Sequence, residues 1–180
     1  MRKAMRFRTY ATLKRLGLIT LESEQQLNEA PRPAKLCGKA IPESLNDLTM
    51  GQLTDIMSLE KGKEIEAVRI IADIDTKALD REPAVAVVGL INFIQSELHR
   101  IADLFKQLKP HYTKEERQAG VEDLDFGIFG TIDWYAQRMG ITNHDDVLRV
   151  PWLHIWQCSL IDKERHEYQE RYQKAITQNN

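Results

Sequence analysis

The chain has few cysteines and few aromatic residues. Among its 180 residues only Cys37 and Cys158 are cysteines, and aromatic residues make up 7%. Small secreted domains that cannot build a sufficient core usually depend on several disulfides. Two cysteines exclude a disulfide scaffold of that kind, and they are compatible with a reducing compartment.

Long apolar runs are also absent. The longest, from Ala84 to Ile94, is interrupted by Gly89 and Asn92 and is about half the ~20 residues that a membrane span needs. No apolar segment with a small-residue cleavage site follows the basic N-terminus, so we expect no signal peptide. These features predict a soluble, non-secreted protein without a membrane partner.

The overall charge is nearly balanced. The formal net charge is −2, from 25 basic and 27 acidic side chains, so the molecule as a whole is not a polyanion binder. Hydrophobic residues make up 42% and charged residues 29% of the chain, which is typical of a globular protein.

The first 16 residues contain no acidic side chain. Phe7 and Tyr10 lie there among six basic residues, namely Arg2, Lys3, Arg6, Arg8, Lys14 and Arg15. Pro31-Arg32-Pro33 then favours an extended backbone. We therefore predict a basic arm and linker over residues 1–35 and a helical domain over residues 36–180. The arm could neutralise phosphates and stack on bases, but it could equally be solvated or dock on an acidic protein surface.

An apolar pattern of helical period dominates the middle of the chain. Its members are spaced alternately by four and three residues, and they are Val87, Ile91, Ile94, Leu98, Ile101, Phe105 and Leu108. Such a seam is typical of a bundle core or a coiled coil, and Leu90 and Leu104 broaden it in favour of a bundle. We predict an all-α helical bundle, with a small β element near residues 36–42 and a long C-terminal helix over 151–176.

Several shorter helices are indicated by local signals. Thr49-x-x-Gln52 and Thr113-x-x-Glu116 are capping boxes, each of which begins a helix. A helical stretch is predicted over 64–79, and another over 131–139 with Gly140 just beyond its end. Between them, the glycines of Phe126–Gly130 allow the backbone to turn or to approach closely.

Motifs for catalysis are missing: the sequence contains no nucleophile elbow, phosphate loop or zinc-hydrolase helix motif. Three weaker clusters remain, namely His154/Cys158/Asp162/His166, Asp73/Asp75/Asp80 and His144/Asp145/Asp146. The first advances around its helix by ~40° per step, so only a two-ligand pair is geometrically reasonable. The second lacks the later ligands and the glycine of a calcium loop, and the acids of the third suit a helix N-terminus. We predict no catalytic residue, cofactor or metal, and hence no enzyme.

The aromatic residues of the C-terminal half are the strongest candidates for contact with a partner. They are Phe126, Phe129, Trp134, Trp152 and Trp156. Aromatic residues at helical spacing mostly pack inward, so most of this set is expected in the core. Any exposed members could line a groove for a helix of a partner.

Three stretches resemble tail assembly chaperone-like proteins of tailed bacteriophages and prophages in order, length and pattern. They are Gly38–Leu53, Thr113–Ala136 and Asp145–Ile176. The resemblance implies a non-enzymatic morphogenesis protein that holds the helical tape measure protein soluble and recruits tail tube subunits, in the host cytoplasm during assembly or in the virion. A structural virion adaptor that docks its arm on neighbouring subunits, a homo-oligomer and a small nucleic-acid-binding protein remain open as alternatives.

Overall fold

The prediction of an all-α fold is confirmed by the computed structural model, which describes residues 4–60, 63–109 and 112–178. Within those ranges there are ten α-helices, one short 3₁₀-helix and one small antiparallel sheet of two strands. The sheet pairs Lys35 with Ala40 and Leu36 with Lys39, which confirms the small β element. Of the six basic residues of the arm, Arg2 and Lys3 lie outside the described residues.

The elements follow one another along the chain as α1 Phe7–Arg15, α2 Leu21–Asn28, β1 Lys35–Leu36, β2 Lys39–Ala40, α3 Met50–Met57, α4 Glu64–Ala72, α5 Thr76–Leu79, α6 Ala84–Lys106, α7 Lys114–Gln118, the 3₁₀-helix Val121–Asp123, α8 Gly127–Met139, α9 His144–Leu148 and α10 Trp152–Gln178. None of the helices in the described ranges combines the length and the apolar character that crossing a bilayer requires.

The chain forms two compact units, whose division differs from the predicted one at residue 35. The first unit takes in the described residues up to Leu48 and those from Gln52 to Arg100. The second takes in Thr49–Gly51 and the described residues from Ile101 onward. The segment predicted as an arm is therefore part of the first unit.

In the first unit, helices α1 and α2 pack on the beginning of α6. The backbone N–H of Ala84 donates to the Met5 carbonyl (2.8 Å), and the Asn92 amide donates to the Leu27 carbonyl (3.1 Å). A small apolar cluster forms there from Tyr10, Leu27, Ala84 and Val88, with Met5, Phe7 and Ile19 around it. The described part of the arm is held in place by its apolar side chains, which pack against the start of α6, and the sequence pattern alone does not reveal that contact.

The predicted helical stretch over 64–79 is wrong as a continuous helix. It is broken after Ala72 by Asp73, whose φ of 50° is left-handed. Lys39 bonds both the Asp73 carbonyl and its carboxylate, and the Asp75 side chain accepts from the Lys77 N–H to begin α5. Asp and Asn tolerate the left-handed region better than most residues, so Asp73 can end the helix in place of glycine.

Helix α6 confirms the apolar seam. Val87, Ile94 and Ile101 are almost completely buried, whereas Phe105 is only half-buried. Leu108 is half-buried as well and lies just past the end of the helix at Lys106. Ile91 and Leu98 are half-buried too. Every second member of the seam up to Ile101 therefore lies in the core, and the members between them are partly open to solvent.

Local caps define the helices of the second unit. The Thr113 hydroxyl accepts from the Glu116 N–H (3.2 Å) and the Glu116 carboxylate accepts from the Thr113 N–H (2.7 Å), so that capping box is confirmed. Gly140 ends α8 with a φ of 67°. Helix α8 begins four residues earlier than predicted, where the Asp125 carboxylate accepts from the Gly127 N–H (2.8 Å).

Candidate functional site

A groove of about 1000 Å³ lies within the second unit. Its walls come from the end of α6, the segment that follows α6, the first half of α8 and the middle of α10. The side chains and glycines that line it are Phe105, Leu108, Lys109, Tyr112, Glu116, Asp125, Phe126, Gly127, Gly130, Thr131, Trp134, Ser159, Asp162, Lys163, His166, Glu167, Glu170 and Arg171.

Aromatic side chains form the apolar part of this groove. Phe105 and Tyr112 are half-buried on one side, and Trp134 of α8 and Phe126, just before α8, line the other. Phe126 is 70% exposed, which is unusual for so large an apolar side chain. A Cβ added at Gly130 would lie 2.7 Å from the Phe126 Cβ, so the glycine lets Phe126 sit directly against α8.

The five aromatic residues predicted as a partner-binding set lie in different environments. Phe126 and Trp134 line the groove. Phe129 is 58% exposed but lies outside the groove lining, where its ring meets the His144 ring edge-on at 5.1 Å between centroids. Trp152 is completely buried and packs on Phe105, with 6.0 Å between ring centroids.

Trp156, the fifth member of the set, fixes α10 to α6. Its Nε1–H donates to the Leu104 carbonyl at 2.9 Å, and Lys163 donates to the Gln107 carbonyl further along. Together with the contact between Trp152 and Phe105, these bonds hold the two walls of the groove in a fixed relation. Trp152 is buried and Trp156 is half-buried, and both support the groove through their contacts with the end of α6.

The charged side chains of the groove are largely paired with one another. Asp162 accepts from both Arg138 Nε (2.9 Å) and Arg138 Nη2 (3.3 Å), and this carboxylate raises the pKa of the Arg138 guanidinium. Along α10, Glu167 lies 3.6 Å from Lys163, and His166 lies 3.3 Å from Glu170. Because these charges already have partners, the surface that the groove offers to a ligand is mainly apolar.

The residues of the weak metal and acid–base patterns do not form a common site in the described parts of the chain. No three His, Cys, Asp or Glu side chains there converge as a metal site would require. Asp162, one of the four residues of the helical metal pattern, is bound by Arg138, and Cys158 is buried. His144 contacts Asp133 (3.2 Å), whereas Asp146 pairs with Arg149 (2.8 Å).

The two aromatic residues of the basic arm face inward. Tyr10 is 6% exposed and Phe7 is half-buried, and both belong to the cluster on α6. Arg6, Arg8, Lys14 and Arg15 are exposed, and Lys14 donates to the Tyr10 hydroxyl (3.3 Å). Stacking of bases on Phe7 and Tyr10 is thus not available in this structure, although the cations remain on the surface.

Sequence reasoning missed most of the groove lining. The sequence pattern places Phe105 and Leu108 in the core seam, and it marks Asp162 and His166 of α10 only as members of a weak metal pattern. One signal was present, since the seam continues to Leu108 while basic residues such as Lys106 and Lys109 begin to flank it. Comparisons with protein-family models, with curated proteins and with solved structures gave no match.

Proposed function

We propose that the protein is a non-enzymatic assembly factor that binds an amphipathic helix of a partner protein in the groove of its second unit. The observation that carries this proposal is the exposure of Phe126 at the edge of a groove whose charges are largely paired. Large exposed apolar side chains beside a concave surface are typical of interaction sites.

The dimensions of the groove suit a helix. The wall from α10 extends from Ser159 to Arg171, which is about 18 Å at 1.5 Å per residue and gives room for about three turns of a partner helix. An amphipathic helix places apolar side chains at i, i+3, i+4 and i+7 on one face. Such a face would cover Phe105, Phe126 and Trp134 together.

The partner class follows from the resemblance to tail assembly chaperone-like proteins of phages and prophages. The proposed partner is a tape measure protein, whose helical segments expose apolar stripes that aggregate when uncovered. Tail tube subunits would then be recruited around that complex. The alternative of a virion adaptor with a threading arm has less support, because the described part of the arm packs on α6 of its own chain.

Photo-crosslinking tests the proposal. A benzoylphenylalanine would be placed at position 126 in one protein and at position 129 in another, and crosslinked peptides would be identified from the native host lysate. We expect position 126 to capture a peptide with an amphipathic helical pattern from a long helical protein, and position 129 to capture little of it. Equal capture at both positions, or capture of no helical segment, would contradict the proposal.

A further inference from the structure

A second cleft, in the first unit, is lined mainly by cations. Its volume is about 350 Å³, and it is lined by Arg6, Arg8, Thr9, Lys77, Asp80 and Arg81. Four of these six residues are basic and one is acidic, so the cleft carries a local excess of positive charge. Only Arg6 and Arg8 were recognised in the sequence as members of a basic segment.

Backbone hydrogen bonds bring these cations together. The N–H of Phe7 donates to the Glu82 carbonyl (2.9 Å), and the N–H of Arg8 donates to the Asp80 carbonyl (3.4 Å). Arg6 also forms an isolated antiparallel bridge with Pro83. These contacts fix the start of α1 beside the end of α5, so the cations of two separate segments share one cleft.

The charges of this cleft are not compensated. Among the described residues, Arg6, Arg8, Lys77 and Arg81 form no ion pair. Asp80 is the one carboxylate among the described lining residues, and it forms an ion pair with none of the four cations. Uncompensated cations held close together repel one another, and an anion bound between them relieves that repulsion.

The lining distinguishes between two kinds of anionic partner. A protein partner usually brings apolar or aromatic anchors that need an apolar core in the interface. Among the residues that the structure describes, no apolar side chain lines this cleft. Contacts with a phosphate backbone can be wholly polar and charged, and three of the four cations are arginines, whose planar guanidinium binds phosphate oxygens in a bidentate manner.

We propose that this cleft, defined by Arg6, Arg8, Lys77 and Arg81, binds the phosphodiester backbone of a nucleic acid without reading its sequence. The basic surface continues from Arg8 to Arg15, which lie on the same face of α1 two turns apart. Because Phe7 and Tyr10 pack inward, no arm aromatic is available to stack on bases, and contact is confined to phosphates. This proposal goes beyond the groove of the second unit and does not depend on it.

The affinity of the full chain for a fluorescein-labelled DNA duplex of random sequence, measured by anisotropy, tests this proposal. Four phosphate contacts give a log–log slope of affinity against salt of about −3.6, so affinity should fall about 150-fold between about 50 and about 200 mM salt. The double variant Arg8→Gln/Arg81→Gln should lower the magnitude of that slope by about 1.8 and weaken binding at low salt. Both side chains are exposed, so the variant is expected to keep its fold, which a thermal melt checks.

Two further variants separate the cleft from the general charge of the protein. Arg69→Gln removes one exposed cation of the same unit, outside the cleft and paired with Glu66, and should leave the affinity and its slope unchanged. Asp80→Asn removes the acid of the cleft and should strengthen binding about two- to fivefold. A gain of this kind cannot arise from partial unfolding.

The proposal is overturned if the duplex does not bind at low salt, or if Arg69→Gln weakens binding as much as a single change at Arg8 or Arg81. It is also overturned if a glutamate-rich peptide binds the wild type more tightly than the duplex and loses that affinity in the double variant. That last result would assign the cleft to an acidic protein segment instead.

Discussion

Replacement of Phe126 by alanine should strongly weaken the binding of a partner helix. A phenylalanine buries roughly 200 Å² when it is fully covered, and 70% of Phe126 is exposed in the free protein. A partner that covers the ring would therefore remove about 140 Å² from water, which is worth about 3.5 kcal/mol at ~25 cal/mol per Å². Full coverage corresponds to a loss of affinity of about 300-fold, and half coverage to about 20-fold.

Phe129→Ala is the matched control for this prediction. It removes the same ring three residues further along the chain, and Phe129 is 58% exposed, but its side chain lies outside the groove lining. The assay is isothermal titration of each variant with the helical segment identified by crosslinking. We expect Phe126→Ala to weaken binding at least about 20-fold and Phe129→Ala to change it less than about twofold. Equal effects of the two substitutions would refute the assignment of the groove.

Three further predictions concern the scaffold. Gly89→Ala should destabilise the fold by about 2–3 kcal/mol in a denaturant titration, because its Cβ would lie 2.1 Å from the Pro31 carbonyl oxygen. An unchanged midpoint would contradict the close packing of α6 on the segment around Pro31. Trp152→Ala should cost about 3–5 kcal/mol, since the side chain is completely buried, whereas a cost below about 1 kcal/mol would show that the Trp152 site is not a packed core. Hydrogen bonds from Arg100 and from the Leu45 N–H hold the pKa of the Glu97 carboxylate below its usual value. The ionised carboxylate therefore stabilises the folded state fully above the unfolded pKa near 4.3, and this contribution is lost as the pH falls through the lower pKa of the folded state. Glu97→Gln should cost about 1.5–3 kcal/mol at neutral pH and reduce the acid dependence of unfolding, and a variant that retains the full acid dependence would refute this role.

Features that depend on neighbouring residues could be predicted from the sequence. The capping box at Thr113 and Glu116 needs only residues three positions apart, and the left-handed end of α8 needs only Gly140. The seam of α6 was visible because its apolar residues repeat along a single helix. The break at Asp73 was not, because it is accompanied by an ion pair with Lys39, which is remote in sequence.

The candidate sites were predicted only in part, because both depend on contacts between distant segments. The groove exists because Trp152 and Trp156 attach α10 to the end of α6, about fifty residues earlier in the chain. The cationic cleft exists because the backbone of Arg8 bonds to that of Asp80. Composition showed the aromatic residues and the basic segment, but it did not show which side chains would face inward.

A pull-down from the native host lysate at low and high salt tests most directly whether the groove binds a helical partner. Wild type, Phe126→Ala and Phe129→Ala are compared, and the recovered proteins are identified by mass spectrometry. Binding to an apolar groove with paired charges depends little on salt. We predict that a long helical protein is recovered at both salt concentrations with wild type and Phe129→Ala, and is lost with Phe126→Ala. Recovery of the same proteins by all three, or of no helical protein at either salt concentration, would contradict the claim.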